Sequence, residues 1–341
     1  MERVLAAAIF AMVISILAGP KLIAFLRRRE YGQYIREEGP VDHAVKQGTP
    51  TMGGLLFVLS AVVPFLVLSR YTLEGLTVFF VTLACAGIGF ADDYIKVTHR
   101  RSLGLAGRWK LVLLAAITVG VGWVVQDEGL AKSVYVPVLD WKIGLSIAFF
   151  GLLFLVIAGA ANGANLTDGI DGLAVGVGII ALFTFTAINM LAYIREGQLD
   201  VPVGREPAQD LAIWGAALLG GMIGFLWYNA FPAEVFMGDT GSMAIGGALG
   251  AFAVMTKAEL LLLLIGGIFV IEVLSVILQV FTFKYWGRRI FLMAPIHHHF
   301  AMKAWSETKI MVRFWIVAGI LCASAFALYY QYYFDGFREL R

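Results

Sequence analysis

Asp92 and Asp93 stand side by side at the end of an apolar run, and Lys96 follows one helical turn later. Charge at that depth costs free energy unless something there uses it. Two carboxylates ~4 Å apart repel by about 4 kcal/mol at an effective dielectric of ~20, so one is protonated or a cation lies between them. A hydrated helix end would account for a single aspartate. The pair, with Lys96 in reach and further acidic stretches at matching depth, points to a cation site.

Four other polar stretches could share its chemistry. In residues 161–172, Asn162, Asn165, Asp168 and Asp171 step by three among glycines that permit close backbone approach to a ligand. A calcium EF-hand is excluded there, because the loop spacing and the closing Glu are missing. In residues 234–242, Asp239 lies between glycines at the start of an apolar run, where a helix cap is the plainer use. Phe236 could stack on a planar base, although an aromatic at a membrane interface needs no such task. His297, His298 and His299 are consecutive, so their side chains diverge and cannot all reach one metal. Imidazoles suit diphosphate or base contacts better. Residues 46–54 bring Lys46, Thr51 and glycines that could hold phosphate, without a P-loop pattern. No Rossmann fingerprint, serine elbow or zinc-type cysteine pair is present. Elimination leaves carboxylates with a hard, oxygen-seeking ion, most simply Mg²⁺. A basic rim implies polyanionic substrates, one of them arriving through lipid, and no nucleic-acid partner is expected.

The elements that carry these residues are membrane spans. Of 341 residues, 60% are hydrophobic and 15% charged, and the mean hydropathy is +0.82. Soluble domains carry about 25% charged residues. The expected fold is therefore an all-α integral membrane protein, one polytopic domain over residues 1–341. Ten apolar runs are long enough to cross ~30 Å. They lie near 3–26, 52–70, 74–91, 111–126, 143–163, 172–194, 211–230, 242–257, 259–285 and 311–334. The first resembles a signal-peptide core over residues 4–18 but continues to Leu26, so it is expected to remain as a span. Cys85 and Cys322 both lie inside apolar runs, where a disulfide framework is not expected.

Lys and Arg set the orientation. One side of a ten-span arrangement gathers Arg27, Arg28, Arg29, Arg36 and Lys46; Lys96, Arg100, Arg101, Arg108 and Lys110; and Lys284, Arg288, Arg289, Lys303, Lys309 and Arg313. The other side holds fewer: Arg3, Arg70, Lys132, Lys142, Arg195, Arg205, Lys257, Arg338 and Arg341. The polar stretches thus face the cytoplasm and both termini lie outside. Residues 132–141 alternate weakly and predict a small outer-surface hairpin. The ninth run exceeds one span. Its Glu272, Ser275 and Gln279 share a helix face that should turn to protein or a wet groove, and Gly266 and Gly267 lower the cost of a bend.

Taken in order, residues 46–54, the Asp92 and Asp93 pair, residues 165–172, 238–242 and 295–299 resemble the bacterial phospho-N-acetylmuramoyl-pentapeptide transferases. These form a branch of the polyprenyl-phosphate N-acetylhexosamine-1-phosphate transferase superfamily. The resemblance covers essentially the whole chain, and the histidine run favours this branch over the N-acetylglucosamine branches. Ala301 and Ala304 depart from it, standing where the pattern carries an acidic residue and a glycine. The resemblance implies transfer of phospho-MurNAc-pentapeptide from UDP-MurNAc-pentapeptide to undecaprenyl phosphate in the bacterial inner membrane, giving lipid I and UMP with Mg²⁺. It implies that Asp239 binds the metal and that Asp92 and Asp93 handle the lipid phosphate, Asp92 as base. Asn165, Asp168, Phe236, His297, His298 and His299 would line the nucleotide-sugar pocket. Lys46, Thr51, Lys96, Lys110, Asp171 and Gln279 would hold phosphates or the sugar rim. Direct attack and a covalent aspartyl intermediate both remain open, as does a homodimer. The rival readings are the same chemistry on UDP-N-acetylglucosamine and an ion-coupled carrier, although carriers place their ion sites near mid-bilayer.

Overall fold

The computed structural model of the protein describes residues 1–29, 48–99, 103–139, 141–198 and 202–333. Each of the ten apolar runs contains a helix. In chain order they are α1 (Glu2–Arg28), α2 (Gly54–Leu68), α3 (Leu73–Thr98), α4 (Gly107–Asp127), the strands β1 (Ser133–Val136) and β2 (Trp141–Gly144), α5 (Ala148–Thr167), α6 (Leu173–Gln198), α7 (Pro202–Asn229) and α8 (Gly238–Met255). Then come α9 (Leu262–Ile265), α10 (Gly267–Trp286), the short α11 (Ile296–Met302) and α12 (Glu307–Leu328). Among the described residues, eight helices are long and apolar enough to cross a membrane: α1, α3, α4, α5, α6, α7, α10 and α12. The other two are α2, with 15 residues, and α8, with 18 residues rich in small side chains.

One boundary corrects the sequence expectation, and one break falls where the sequence placed a bend. The fifth helix starts at Ala148 rather than 143, because Trp141–Gly144 is a strand. It pairs antiparallel with Ser133–Val136, Ser133 facing Gly144 and Val136 facing Trp141. Ile143 is apolar enough to read as the start of a span, but Trp141 and Ile143 alternate with Lys142 and Gly144 at the period of a strand. The ninth run is not one helix. It stops at Ile265, passes Gly266 at φ −91° and ψ 20°, and restarts as α10.

Every residue of α8 from Thr240 to Met255 is buried, so this helix is core on all sides. α3 and α5 flank it, α2 and α6 add further contacts, and α1 packs outside against α7 and α2. Lipid tails are as apolar as leucine, so such helices associate by close packing of small residues rather than by hydrophobic exclusion. A Cβ on Gly246 of α8 would overlap the carbonyl oxygen of Ala160 on α5. One on Gly89 of α3 would overlap the carbonyl oxygen of Asp239. On the periphery Leu17, Val119 and Ile320 are 70%, 73% and 61% exposed, as a lipid-facing surface requires.

The far end of α3 is fixed by Thr72, whose hydroxyl oxygen accepts from the Gly75 N–H. Asp210 of α7 holds that turn, accepting from Ser69 Oγ at 2.9 Å and from the N–H groups of Arg70 and Thr72 at 2.8 and 2.9 Å. From Thr72 the helix rises ~30 Å to Asp92 at 1.5 Å per residue, about one hydrocarbon thickness. The acid pair therefore sits at the opposite membrane surface.

Candidate active site

Asp92 and Asp93 are 1% and 2% exposed, and being consecutive on α3 they point in different directions. Asp92 faces two lysines: Lys96 Nζ lies 2.6 Å from its Oδ2 and Lys110 Nζ 3.0 Å from its Oδ1. The same two ammonium groups reach Asp239, Lys96 to Oδ1 at 2.9 Å and Lys110 to Oδ2 at 2.7 Å. Asp92, Lys96, Asp239 and Lys110 thus close a ring of alternating charge drawn from α3, α4 and α8. The Leu105 N–H also donates to Asp92 Oδ1 at 2.7 Å, and a Cβ on Gly104 would overlap this carboxylate. The turn before α4 therefore lies directly on Asp92.

Asp93 turns instead to the start of α8. Its Oδ1 accepts from the Asp239 N–H at 3.1 Å, and its Oδ2 accepts from the N–H and hydroxyl of Thr240 at 2.9 and 2.7 Å. A helix start presents unsatisfied N–H groups and partial positive charge, so a carboxylate there is both a cap and an electrostatic partner. Gly238 permits this approach. It sits at φ +75°, and a Cβ would meet Asp93 Oδ2 at 2.6 Å and Thr51 Oγ1 at 2.9 Å. Neighbouring positions on a helix diverge, so each carboxylate also finds its own positive partner.

One carboxylate oxygen each of Asp92, Asp93 and Asp239 still lies within 4.8 Å of the other two. An all-oxygen donor set of three carboxylates fits a hard divalent ion such as Mg²⁺. The candidate ligand set is therefore wider than Asp239 alone.

The remaining predicted residues divide between this cluster and its frame. Asn165 donates through Nδ2 to Ser242 Oγ at 3.0 Å, tying the end of α5 to the first turn of α8. Asp168 follows at the C-terminus of α5. Burial, then the charges of Asp239, Asp93 and Asp171, push its carboxyl well above the usual carboxylate range, with Lys96 opposing. Asp171 is buried and accepts from the Ala233 N–H at 3.0 Å, so it pins the turn after α7. Thr51 is buried, and Phe236 is half-buried. Their strands of backbone join, Phe236 N–H donating to Pro50 O and Gly53 N–H to Phe236 O, both at 2.8 Å. His299 accepts at Nδ1 from the Leu292 N–H at 3.1 Å; slight desolvation and then Lys303 lower its basicity. His297 is buried against Glu272, with Nδ1 3.1 Å from Oε1. Gln279 spends its amide on backbone, Oε1 accepting from Ile290 and Phe291 N–H and Nε2 donating to Phe291 O. It clasps the segment before α11, with one Nε2–H not used in these bonds. Lys46 lies outside the described residues. Thr240, Ser242 and Asn229, which accepts from the Gly172 N–H at 3.1 Å, were not singled out from sequence. Their only signal was proximity to the glycine-flanked motifs.

The model of the family described as glycosyl transferase family 4 matches residues 76–257. Phospho-N-acetylmuramoyl-pentapeptide-transferase signature 1 matches residues 46–58. The phospho-N-acetylmuramoyl-pentapeptide-transferase of Rubrobacter xylanophilus is 46% identical, covering 98% of this chain and 99% of that protein. Those of Geobacillus sp. WCH70 and Bacillus subtilis are 44% and 45% identical, covering 95% and 92% of this chain and 97% and 94% of theirs. With its acidic cluster at a helix end and motifs spread over most of its length, the chain belongs to glycosyl transferase family 4, among the phospho-N-acetylmuramoyl-pentapeptide transferases.

Proposed function

We propose that this transferase moves phospho-MurNAc-pentapeptide from UDP-MurNAc-pentapeptide to undecaprenyl phosphate, at the cytoplasmic surface of the bacterial membrane. The observation that carries the proposal is the ring of Asp92, Lys96, Asp239 and Lys110, one membrane thickness from Thr72. It stands where a lipid-borne phosphate and a water-borne nucleotide sugar can meet.

An oxygen of the lipid phosphate attacks the sugar-side phosphorus of the diphosphate. The bond from that phosphorus to the bridging oxygen breaks, and its electron pair leaves with UMP. A phosphate monoester loses its second proton near pH 6, so the attacking oxygen is largely ionised at neutral pH. Asp92 takes the remaining proton. Lys96 and Lys110, already between two carboxylates, are the groups that swing to the incoming phosphates and hold them in line. Asp93 keeps the first turn of α8 in place, and with it Asp239. Asp92, Asp93 and Asp239 would hold Mg²⁺, which when bound neutralises charge on the diphosphate and the leaving group. Asn165, Asp168, Phe236 and the histidines take the nucleotide-sugar side. Direct attack is favoured over a covalent aspartyl intermediate. Asp93 is tied by three donors to the start of α8, and Asp92 serves as the base for the lipid phosphate, so the direct route needs no further group.

Purified protein given UDP-MurNAc-pentapeptide, undecaprenyl phosphate and Mg²⁺ should release UMP and form the lipid-linked product in equal amounts. UDP-N-acetylglucosamine should not replace the donor. Labelled UMP should not exchange into the donor without lipid acceptor. UMP released only from UDP-N-acetylglucosamine, or solute accumulating unchanged in vesicles, would move the chain to a rival activity.

A further inference from the structure

Glu272 has no part in the transfer described above, yet its pair with His297 joins three elements. Both side chains are 0% exposed. His297 Nδ1 lies 3.1 Å from Glu272 Oε1, linking α11 to α10. The second polar atom of each group, Glu272 Oε2 and His297 Nε2, is buried without a hydrogen-bond partner among the described residues. Nε2 is pressed against Gly169, where a Cβ would overlap the ring. Gly169 follows Asp168, so the ring touches the polar turn between α5 and α6.

A carboxylate within a spanning helix is expensive, about 2.5–3.5 kcal/mol for Asp at a helix centre on insertion scales. A helix-to-helix polar contact alone is served by serine or asparagine. An ionised carboxylate only accepts, so the shared hydrogen lies on Nδ1, and Nε2 is left as a lone-pair acceptor. A flipped ring would set a C–H against Glu272 Oε1. The carboxylate thereby fixes both the tautomer and the plane of the ring.

We propose that Glu272 is a positioning residue for the nucleotide-sugar side of the site: it holds His297 as the Nδ1–H tautomer and so seats α11 on Gly169. The inference rests on the transferase reading above. Glu272 touches no substrate. It acts by fixing the first turn of α11, from which His298 and His299 project, and Leu292 fixes His299 from the other side.

The test uses the full-length protein in detergent with both substrates. Glu272→Ala should raise KM for UDP-MurNAc-pentapeptide on the order of 10–100-fold, the scale lost when the partner orienting a ligating histidine is removed. KM for undecaprenyl phosphate should stay close to wild type. Glu272→Gln keeps an acceptor and should restore most of the lost affinity. In wild-type protein carrying isotopically labelled histidine, nitrogen NMR shifts should show His297 protonated at Nδ1 and bare at Nε2, the signal being assigned by its loss in His297→Asn. A parallel rise in both KM values, a Gln variant as impaired as the Ala variant, or a protonated Nε2 in the wild type would each overturn the proposal. The NMR measurement reads the wild type, so it decides even if a variant misfolds. A wild type that releases no UMP would instead defeat the transferase reading, and the tautomer would still be read independently.

Discussion

Successive side chains on a helix point about 100° apart, and α3 uses that divergence to separate the work of its two aspartates. Asp93 accepts from three donors at the start of α8, whereas Asp92 and Asp239 share two lysines. Asp93→Asn should therefore lower stability as well as weaken the hold on Mg²⁺ proposed for the three aspartates. Hydrogen bonds to a charged group contribute about 1.5–3 kcal/mol each, and the amide loses one acceptor, so a loss of roughly 2 kcal/mol and a lower Tm in detergent are expected. Asp239→Asn should leave a folded protein that does not transfer, because losing a charge that holds a metal costs several kcal/mol of transition-state stabilisation. Near-normal turnover in that variant would remove Asp239 from the site. Sequence placed all three aspartates in one chemistry, but it could not show this division. The partner of Asp93 is Thr240, 147 positions along the chain, and nothing local to Asp93 announces it. The same holds for Gln279, whose polar face was legible in sequence while its backbone partners at Ile290 and Phe291 were not.

At the scale of elements, hydrophobic run length located the helices, since only a helix satisfies its own backbone in lipid. Their ends were less legible. Ile143 and Gly144 counted as span residues although a strand claims them, and helices such as α3 run on past the apolar stretch into their polar turns. The end of α11 shows what local sequence does encode. Trp305 N–H returns to Phe300 O and Ala304 N–H to Ala301 O, while the Phe300 and Trp305 rings stack 4.7 Å apart. This is a Schellman ending, whose left-handed position favours glycine, and here Ala304 occupies it at φ +57°. Ala304→Gly should stabilise the protein by up to about 1 kcal/mol, the ~1–2 kcal/mol relief of a left-handed alanine less the ~0.5–1 kcal/mol entropy cost of glycine, read as a higher Tm with turnover retained; a lower Tm would count against the strained ending. Gly89→Ala makes the opposite case. Its methyl group would overlap the Asp239 carbonyl oxygen, so α3 and α8 must part, at a typical overpacking cost of 1–3 kcal/mol. Turnover should fall although no titratable group has changed. A fully active Gly89→Ala protein would mean that Asp239 tolerates the shift.

For the whole molecule, the consequence is a sidedness. The C-terminal ends of α3 and α5 and the N-terminal ends of α4 and α8 meet at one surface, because Asp92, Lys110, Asn165 and Asp239 join there. The turn held by Asp210, the hairpin, the C-terminal end of α6 and the N-terminal end of α7 belong to the other surface. Arg27, Arg28, Arg29, Arg108, Lys284, Arg288, Arg289, Lys303, Lys309 and Arg313 add to the first surface, against Arg3, Arg70, Lys132, Lys142, Arg195, Arg205 and Lys257 on the second. The richer basic side is the one the proposal turns to the cytoplasm. The proposed chemistry needs the same orientation, since a nucleotide diphosphate cannot cross lipid. Cysteine labelling tests this cleanly, because Cys85 and Cys322 are both buried and give a quiet background. A maleimide that cannot cross the membrane should reach Arg205→Cys in intact cells, and His99→Cys only after the cells are opened. Labelling of His99→Cys alone in intact cells would turn the molecule over in the membrane and place the acidic cluster outside.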